Sequence, residues 1–221
     1  MILLIEDRAK RQALFMQDTH IDLGLYSDIL DNFIEKKYDT FVKDMLNDNF
    51  DFSPYDIIIT HKSAYEDDNT LILDKLKTHC ETNKKALVFF SGGVDENYYH
   101  NANYEFIITN SKVFYSRNLE LFLQSYRENN HNLLMLIYGQ RYKLNIALNI
   151  FESLSLFVER NRDQKTINYK KMIEVVDMYL LEDIQFDFKI EKDKFNKVAF
   201  ENILELKKSL SNYIKKSIEN E

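Results

Sequence analysis

Two adjacent carboxylates close the first apolar run of this chain, with Glu6 and Asp7 following directly on Ile2–Ile5. Hard oxygen ligands fixed at a strand end suit a divalent ion such as Mg²⁺, which takes oxygen donors in an octahedral shell. The bland alternative is an acidic cluster paired with Arg8 or Lys112. Three more apolar runs end in groups with chemistry of their own. Ile57–Ile59 runs into Thr60–His61–Lys62, and an imidazole there can accept phosphate on nitrogen or respond to pH. Ala86–Phe90 ends in Ser91–Gly92–Gly93, where backbone N–H groups either cradle an anion or make a tight turn that needs glycine. Glu105–Thr109 leads into Asn110–Ser111–Lys112 and brings a cation.

These groups need a scaffold, and the first 126 residues supply an alternation of short apolar strands and amphipathic helices. Helices are predicted from Arg8 to about Gln17, over Tyr38–Leu46, over Thr70–Lys84 and over Arg117–Tyr126. The second has Tyr38, Phe41, Val42 and Met45 at helical spacing, and the third has Ile72, Leu73, Leu76 and Cys80 on one side. Ile21–Lys37 fits a strand or a short helix equally. Strands of three to five apolar residues between helices suit a parallel sheet covered on both faces. In such a sheet, function collects at the C-terminal strand edge, where Glu6, Asp7, His61, Ser91 and Lys112 all fall.

The texture changes after Tyr126. The polar stretch Glu128–Asn132 marks a boundary, giving an α/β domain at 1–126 and a mostly helical module at 127–221. Leu133–Val158 reads as one long helix interrupted by Gly139, or Leu133–Tyr138 as a sixth strand. Its stripe runs through Leu144, Ala147, Leu148, Phe151, Leu154 and Val158. Tyr169–Leu181 forms a further helical stripe, Phe186–Ile190 a short strand or link, and Phe195–Ile218 a terminal helix.

On the acid pair, Ser91, Lys112 and the strand Tyr55–His61, residues 1–126 resemble the response-regulator receiver family. The resemblance implies a flavodoxin-like, doubly wound parallel sheet. In that family the acid pair and an accepting Asp hold Mg²⁺, the Asp takes phosphate as an acyl phosphate, and Ser/Thr and Lys read the phosphoryl oxygens. Glu6, Asp7, Ser91 and Lys112 map onto those positions, but the acceptor falls on His61, or on Thr60 one residue earlier. An acyl phosphate requires a carboxylate nucleophile. The expectation is therefore an inactive receiver with a vestigial pocket, working by protein–protein interaction, as partner docking or as a homodimer through Glu105–Tyr126. The opening Ile5–Glu6–Asp7–Arg8 is similar to inactive receivers of bacterial signalling systems.

Charge and cysteine usage bound the alternatives. Up to Tyr126 there are thirteen basic and twenty-one acidic residues, and beyond it sixteen and fifteen. An acidic half is a poor nucleic-acid surface, since such binding rests on neutralising phosphates. A DNA-binding output would have to use Tyr138–Lys143, where Arg141 and Lys143 interleave with aromatics. The bland reading there is a helix with snorkelling side chains. An enzyme would be a phosphotransfer device or hydrolase using Glu6, Asp7 and His61. The histidines have no zinc-ligand spacing with Cys80, and with four glycines no phosphate-binding loop is present. One cysteine and no apolar run of membrane-spanning length fit a cytoplasmic protein.

Overall fold

The structure is a computed structural model and describes residues 1–65, 69–101, 103–161 and 197–219. The chain divides into two compact units, Met1–Gln140 and Arg141–Glu221. Segment 127–140, which the polar stretch Glu128–Asn132 had assigned to the second part, thus goes with the first.

The first unit is built on six strands: β1 (Ile2–Ile5), β2 (Leu30–Phe33), β3 (Ile57–His61), β4 (Ala86–Ser91), β5 (Tyr98–Asn101) and β6 (Glu105–Asn110). Their order in the sheet is β2-β1-β3-β4-β6-β5. Every pairing is parallel except β5 with β6. The five parallel strands follow the order 2-1-3-4-5 in sequence, which is compatible with flavodoxin-like folds. The helices are α1 (Ala9–Thr19), α2 (Glu35–Leu46), α3 (Asn69–Asn83), α4 (Ser111–Phe114), α5 (Arg117–Arg127) and α6 (Met135–Tyr138).

The apolar runs are continuous because both sheet faces are covered. Leu3, Ile5, Ile58, Leu87 and Phe89 pack with Phe41 and Met45 of α2 and with Ile72, Leu73, Leu76 and Cys80 of α3. By strand alternation, Ile2, Leu4, Ile59, Val88, Phe90 and Ile107 face the other way, and all are buried. On that side Phe90 stacks on Phe114 at 4.5 Å and meets Tyr115 edge-on at 5.2 Å.

Three features differ from expectation. Ile21–Lys37 contains a 3₁₀ turn (Leu23–Tyr26), the edge strand β2 and the start of α2. The sixth strand is Tyr98–Asn101, not Leu133–Tyr138, and it lies in the connection between β4 and β6, pairing antiparallel with the outer edge of β6. Leu133–Val158 is neither one helix nor a strand. It holds the short α6, a break at Gly139 with φ +74°, and then α7 (Tyr142–Asn161). A Cβ at Gly139 would come within 3.0 Å of Asn118 Oδ1, whose side-chain amide donates to Ile137 O at 3.2 Å, so glycine is required there.

Among the described residues, the second unit holds α7 and α8 (Lys197–Glu219). Leu144, Ile146, Ala147, Ile150 and Leu154 are buried on α7, and Ile203, Leu206 and Leu210 on α8. Leu148, expected in the stripe, is 41% exposed. The Lys207 ammonium lies 5.3 Å from the Phe151 ring centre. Tyr169–Leu181 and Phe186–Ile190 lie outside the described residues. No helix among the described residues is long and apolar enough to cross a membrane.

Candidate functional site

At the C-terminal edge of the sheet, β1 delivers Glu6 and Asp7 into the start of α1, and β3 ends beside them in His61. The register aligns Ile5 with Thr60, so Glu6 falls level with His61, and His61 pairs with Phe90. The acid pair and the imidazole therefore meet at one strand edge.

Glu6 is fully buried. Its carboxylate accepts from the Arg8 backbone N–H at 3.1 Å and from the Tyr115 hydroxyl at 3.0 Å. It also accepts from Arg11 through Nη2 and, at 3.4 Å, through Nε. Arg11 Nη2 bonds Asp7 Oδ1 as well, so one guanidinium bridges both acids. Arg8 Nε stands 3.3 Å from Asp7 Oδ2. Helix geometry explains the arrangement: Arg11 is four residues beyond Asp7, within the first turn of α1, and its side chain reaches back over the strand end. Two carboxylates and two guanidiniums leave the cluster close to neutral without any added ion.

Burial pushes the Glu6 carboxyl above its ordinary range, against the hydrogen bond and charge of Arg11. Burial pulls the Arg11 guanidinium down, but its bonds to Glu6 and the charges of Glu6 and Asp7 outweigh this and hold it above its usual value. Desolvation, then the Arg11 charge, lowers His61 to about 4, with Asp7 opposing. Geometry agrees: His61 Nδ1 accepts from the Ser63 N–H at 3.3 Å, which places the proton of a neutral ring on Nε2. Its 3.6 Å approach to Asp7 Oδ1 is thus a contact with a neutral imidazole.

Behind the cluster lies a buried polar chain that sequence reading missed. Tyr115 is fully buried and stacked on Phe15 at 5.0 Å. Its oxygen also lies 3.4 Å from Gln12 Nε2. Gln12 and Asn32 exchange two amide hydrogen bonds of 3.1 and 2.7 Å. Burial and the neighbouring Glu6 charge raise the Tyr115 hydroxyl well above its ordinary value.

Ser91 and Lys112 stand apart from this cluster. Ser91 alternates with Phe90 and so faces the α2/α3 side, where its Oγ accepts from the Gly93 N–H at 3.5 Å. The loop after it is held by Asn110, which donates to Gly92 O at 3.3 Å and Val94 O at 2.9 Å, and neither glycine takes a positive φ. Lys112 is exposed in the first turn of α4. Its backbone N–H bonds the Asn110 cap at 2.9 Å, and among the described residues its ammonium pairs with neither Glu6 nor Asp7. The cations facing the acid pair are Arg11 and, on Asp7, the expected Arg8, not Lys112. Thr60, the alternative acceptor position, faces the α2/α3 side and hydrogen-bonds Tyr65 Oη at 2.6 Å. Asp56 lies at the opposite strand end, where it accepts from Tyr126 at 3.1 Å.

Among the described residues, no group of three or more His, Cys, Asp or Glu is placed to hold a metal ion. Glu6 and Asp7 provide oxygen donors of the right chemistry, but Arg11 occupies the space between them. Arg141 directly precedes α7 and its carbonyl accepts from Asn145 N at 3.0 Å, while Lys143 lies within the helix's first turn. Compared with known proteins, the chain matches no family model, no curated protein and no solved structure.

Proposed function

We propose that this chain is a non-catalytic regulatory or scaffold protein, in which a receiver-like domain, held in one arrangement by an internal arginine, binds protein partners without being phosphorylated. One observation carries the reading: the Arg11 guanidinium bridges the two carboxylates that a receiver would offer to Mg²⁺. A neutral, buried imidazole stands where the phosphate acceptor falls. Every Glu6 oxygen is engaged, leaving no lone pair directed at an incoming ion or water.

The β3–α3 connection adds support. Ala64 and Tyr65 are buried against the sheet, Tyr65 is hydrogen-bonded to Thr60, and Tyr38 donates to Ala64 O. The described part of this connection, residues 62–65, is thus held to the sheet at Ala64 and Tyr65. Signalling in this reading comes from partner binding that shifts a population, with a second copy of the chain as one partner. A cytoplasmic location belongs to the same reading and is supported by the single, buried Cys80.

The test is incubation with acetyl phosphate and Mg²⁺ followed by intact mass. The expected spectrum is unchanged. A stable added phosphate that disappears in His61→Ala would replace this reading with phosphotransfer on imidazole nitrogen.

A further inference from the structure

The two helices of the second unit each carry an exposed stripe, and the stripes have opposite charge. On α7, Leu148, Glu152, Leu156 and Glu159 are exposed, and at 3.6 residues per turn they fall within about 80° of arc. On α8, Leu204, Lys208, Lys215 and Ile218 are exposed and also span about 80°. The apolar members of both stripes are between 41% and 57% open to water. Their charges are not spent at home. Among the described residues, none of Glu152, Glu159, Lys208 and Lys215 forms an ion pair. The contrary charges on each helix, Arg160 on α7 and Glu201, Glu205 and Glu219 on α8, lie to one side of its stripe.

The stripes match in spacing as well as in sign. Glu152 and Glu159 are seven residues apart, as are Lys208 and Lys215, which sets each pair about 10.5 Å apart along its helix. An α7 laid against an α8 therefore pairs both acids with both lysines at once, whichever way the helices run. The exposed leucines and Ile218 then pack beside the ion pairs. Within one chain the stripes do not meet, because α7 and α8 touch through other faces, where Ile150, Leu154, Ile203 and Leu206 are buried. The surface that complements each stripe is thus supplied by another copy of the same chain. Net repulsion does not oppose this, since the sixteen basic and fifteen acidic residues beyond Tyr126 nearly cancel.

We propose that the chain associates with itself through these stripes, α7 of one copy lying against α8 of a second, with Glu152 and Glu159 paired to Lys208 and Lys215. The proposal rests on the binding role argued above and names the partner and the surface.

Sedimentation velocity of the full chain across the micromolar range tests it. The unaltered chain is expected to associate. Glu152→Lys with Glu159→Lys, or Lys208→Glu with Lys215→Glu, should weaken association by ~tenfold or more. An equimolar mixture of these two double variants should associate again, because each supplies the charge the other lacks. Leu148→Gln with Leu156→Gln leaves every charge in place and should weaken association as well. Circular dichroism melts verify that each variant folds. A chain that stays monomeric throughout, double variants that associate like the unaltered chain, or a mixture no tighter than its components overturns the proposal. Each of these failures removes this surface alone, whereas phosphate uptake in the acetyl phosphate experiment removes the binding-module reading itself.

Discussion

The strand-end cluster and the open groove beside α3, lined by Leu71, Asp48 and Asp74, both place carboxylates beside apolar residues, yet they treat those carboxylates in opposite ways. At the strand end, Glu6 is sealed from solvent and shared among Arg8, Arg11 and Tyr115. At the groove, Asp48 and Asp74 have side chains 80% and 65% exposed and keep most of their water. A buried acid is tolerated only when its countercharge and hydrogen bonds are supplied internally, which fixes the surroundings in place. An exposed acid demands little of the fold. The molecule's obvious acid pair is thus committed to structure, whereas Asp48 and Asp74 meet their lysine partners, Lys75 and Lys77, at the solvent surface.

Mutations can break this contrast at either end. Arg11→Met strands Glu6 and Asp7 without their shared cation, and urea unfolding at neutral pH should show a loss of about 3–5 kcal/mol. Adding Glu6→Gln in the same chain should recover at least half of that loss, because the buried charge goes with its partner. A full loss persisting in the double variant would show that packing of the Arg11 stem, not charge, is what matters.

Acid titration of stability sharpens the contrast next. His61 takes a proton at its ordinary 6.5 when unfolded but only near 4 when folded. Stability must therefore fall as pH drops from about 6.5 towards 4. Solvent at the sheet edge screens part of this, leaving about 2 kcal/mol. Glu6 acts with the opposite sign, since its raised folded value favours the fold in acid and that contribution is lost as pH climbs past 4.5. Unfolding in a Glu6→Gln background isolates the histidine, and His61→Gln there should flatten the slope. Tyr115→Phe, which deletes one donor to Glu6, should cost about 1–2 kcal/mol in the same unfolding assay. Leu71→Glu, on the exposed side of the comparison, should change stability by less than about 0.5 kcal/mol.

Much of this architecture was legible from residue patterns. β1, β3 and β4 carry unbroken apolar runs because a central strand is buried on both faces, β6 keeps a shorter one at Phe106, Ile107 and Ile108, and α2, α3 and α5 have clear apolar sides. The edge strands were not legible. Leu30–Phe33 includes Asp31 and Asn32, and Tyr98–Asn101 is largely solvent-facing, so neither shows the strand signature. At the site, Glu6, Asp7 and His61 were found because each ends an apolar run. Arg11 had a usable signal, its four-residue spacing from Asp7 at the start of a helix, but the acid pair was read against Arg8, which does approach Asp7, and against Lys112, which does not. Tyr115 had none, since its contact with Glu6 spans 109 residues of sequence.

That long span has a bearing on how the domain is made. Glu6 is made 109 residues before the hydroxyl that completes its shell, which arrives only after β6 has emerged. Until then the carboxylate keeps its hydration, and the first strand has reason to stay loose. A fragment ending before Tyr115 would carry a wet acid at the C-terminal edge of its sheet, so nascent domains released early are poor candidates for a stable halfway fold.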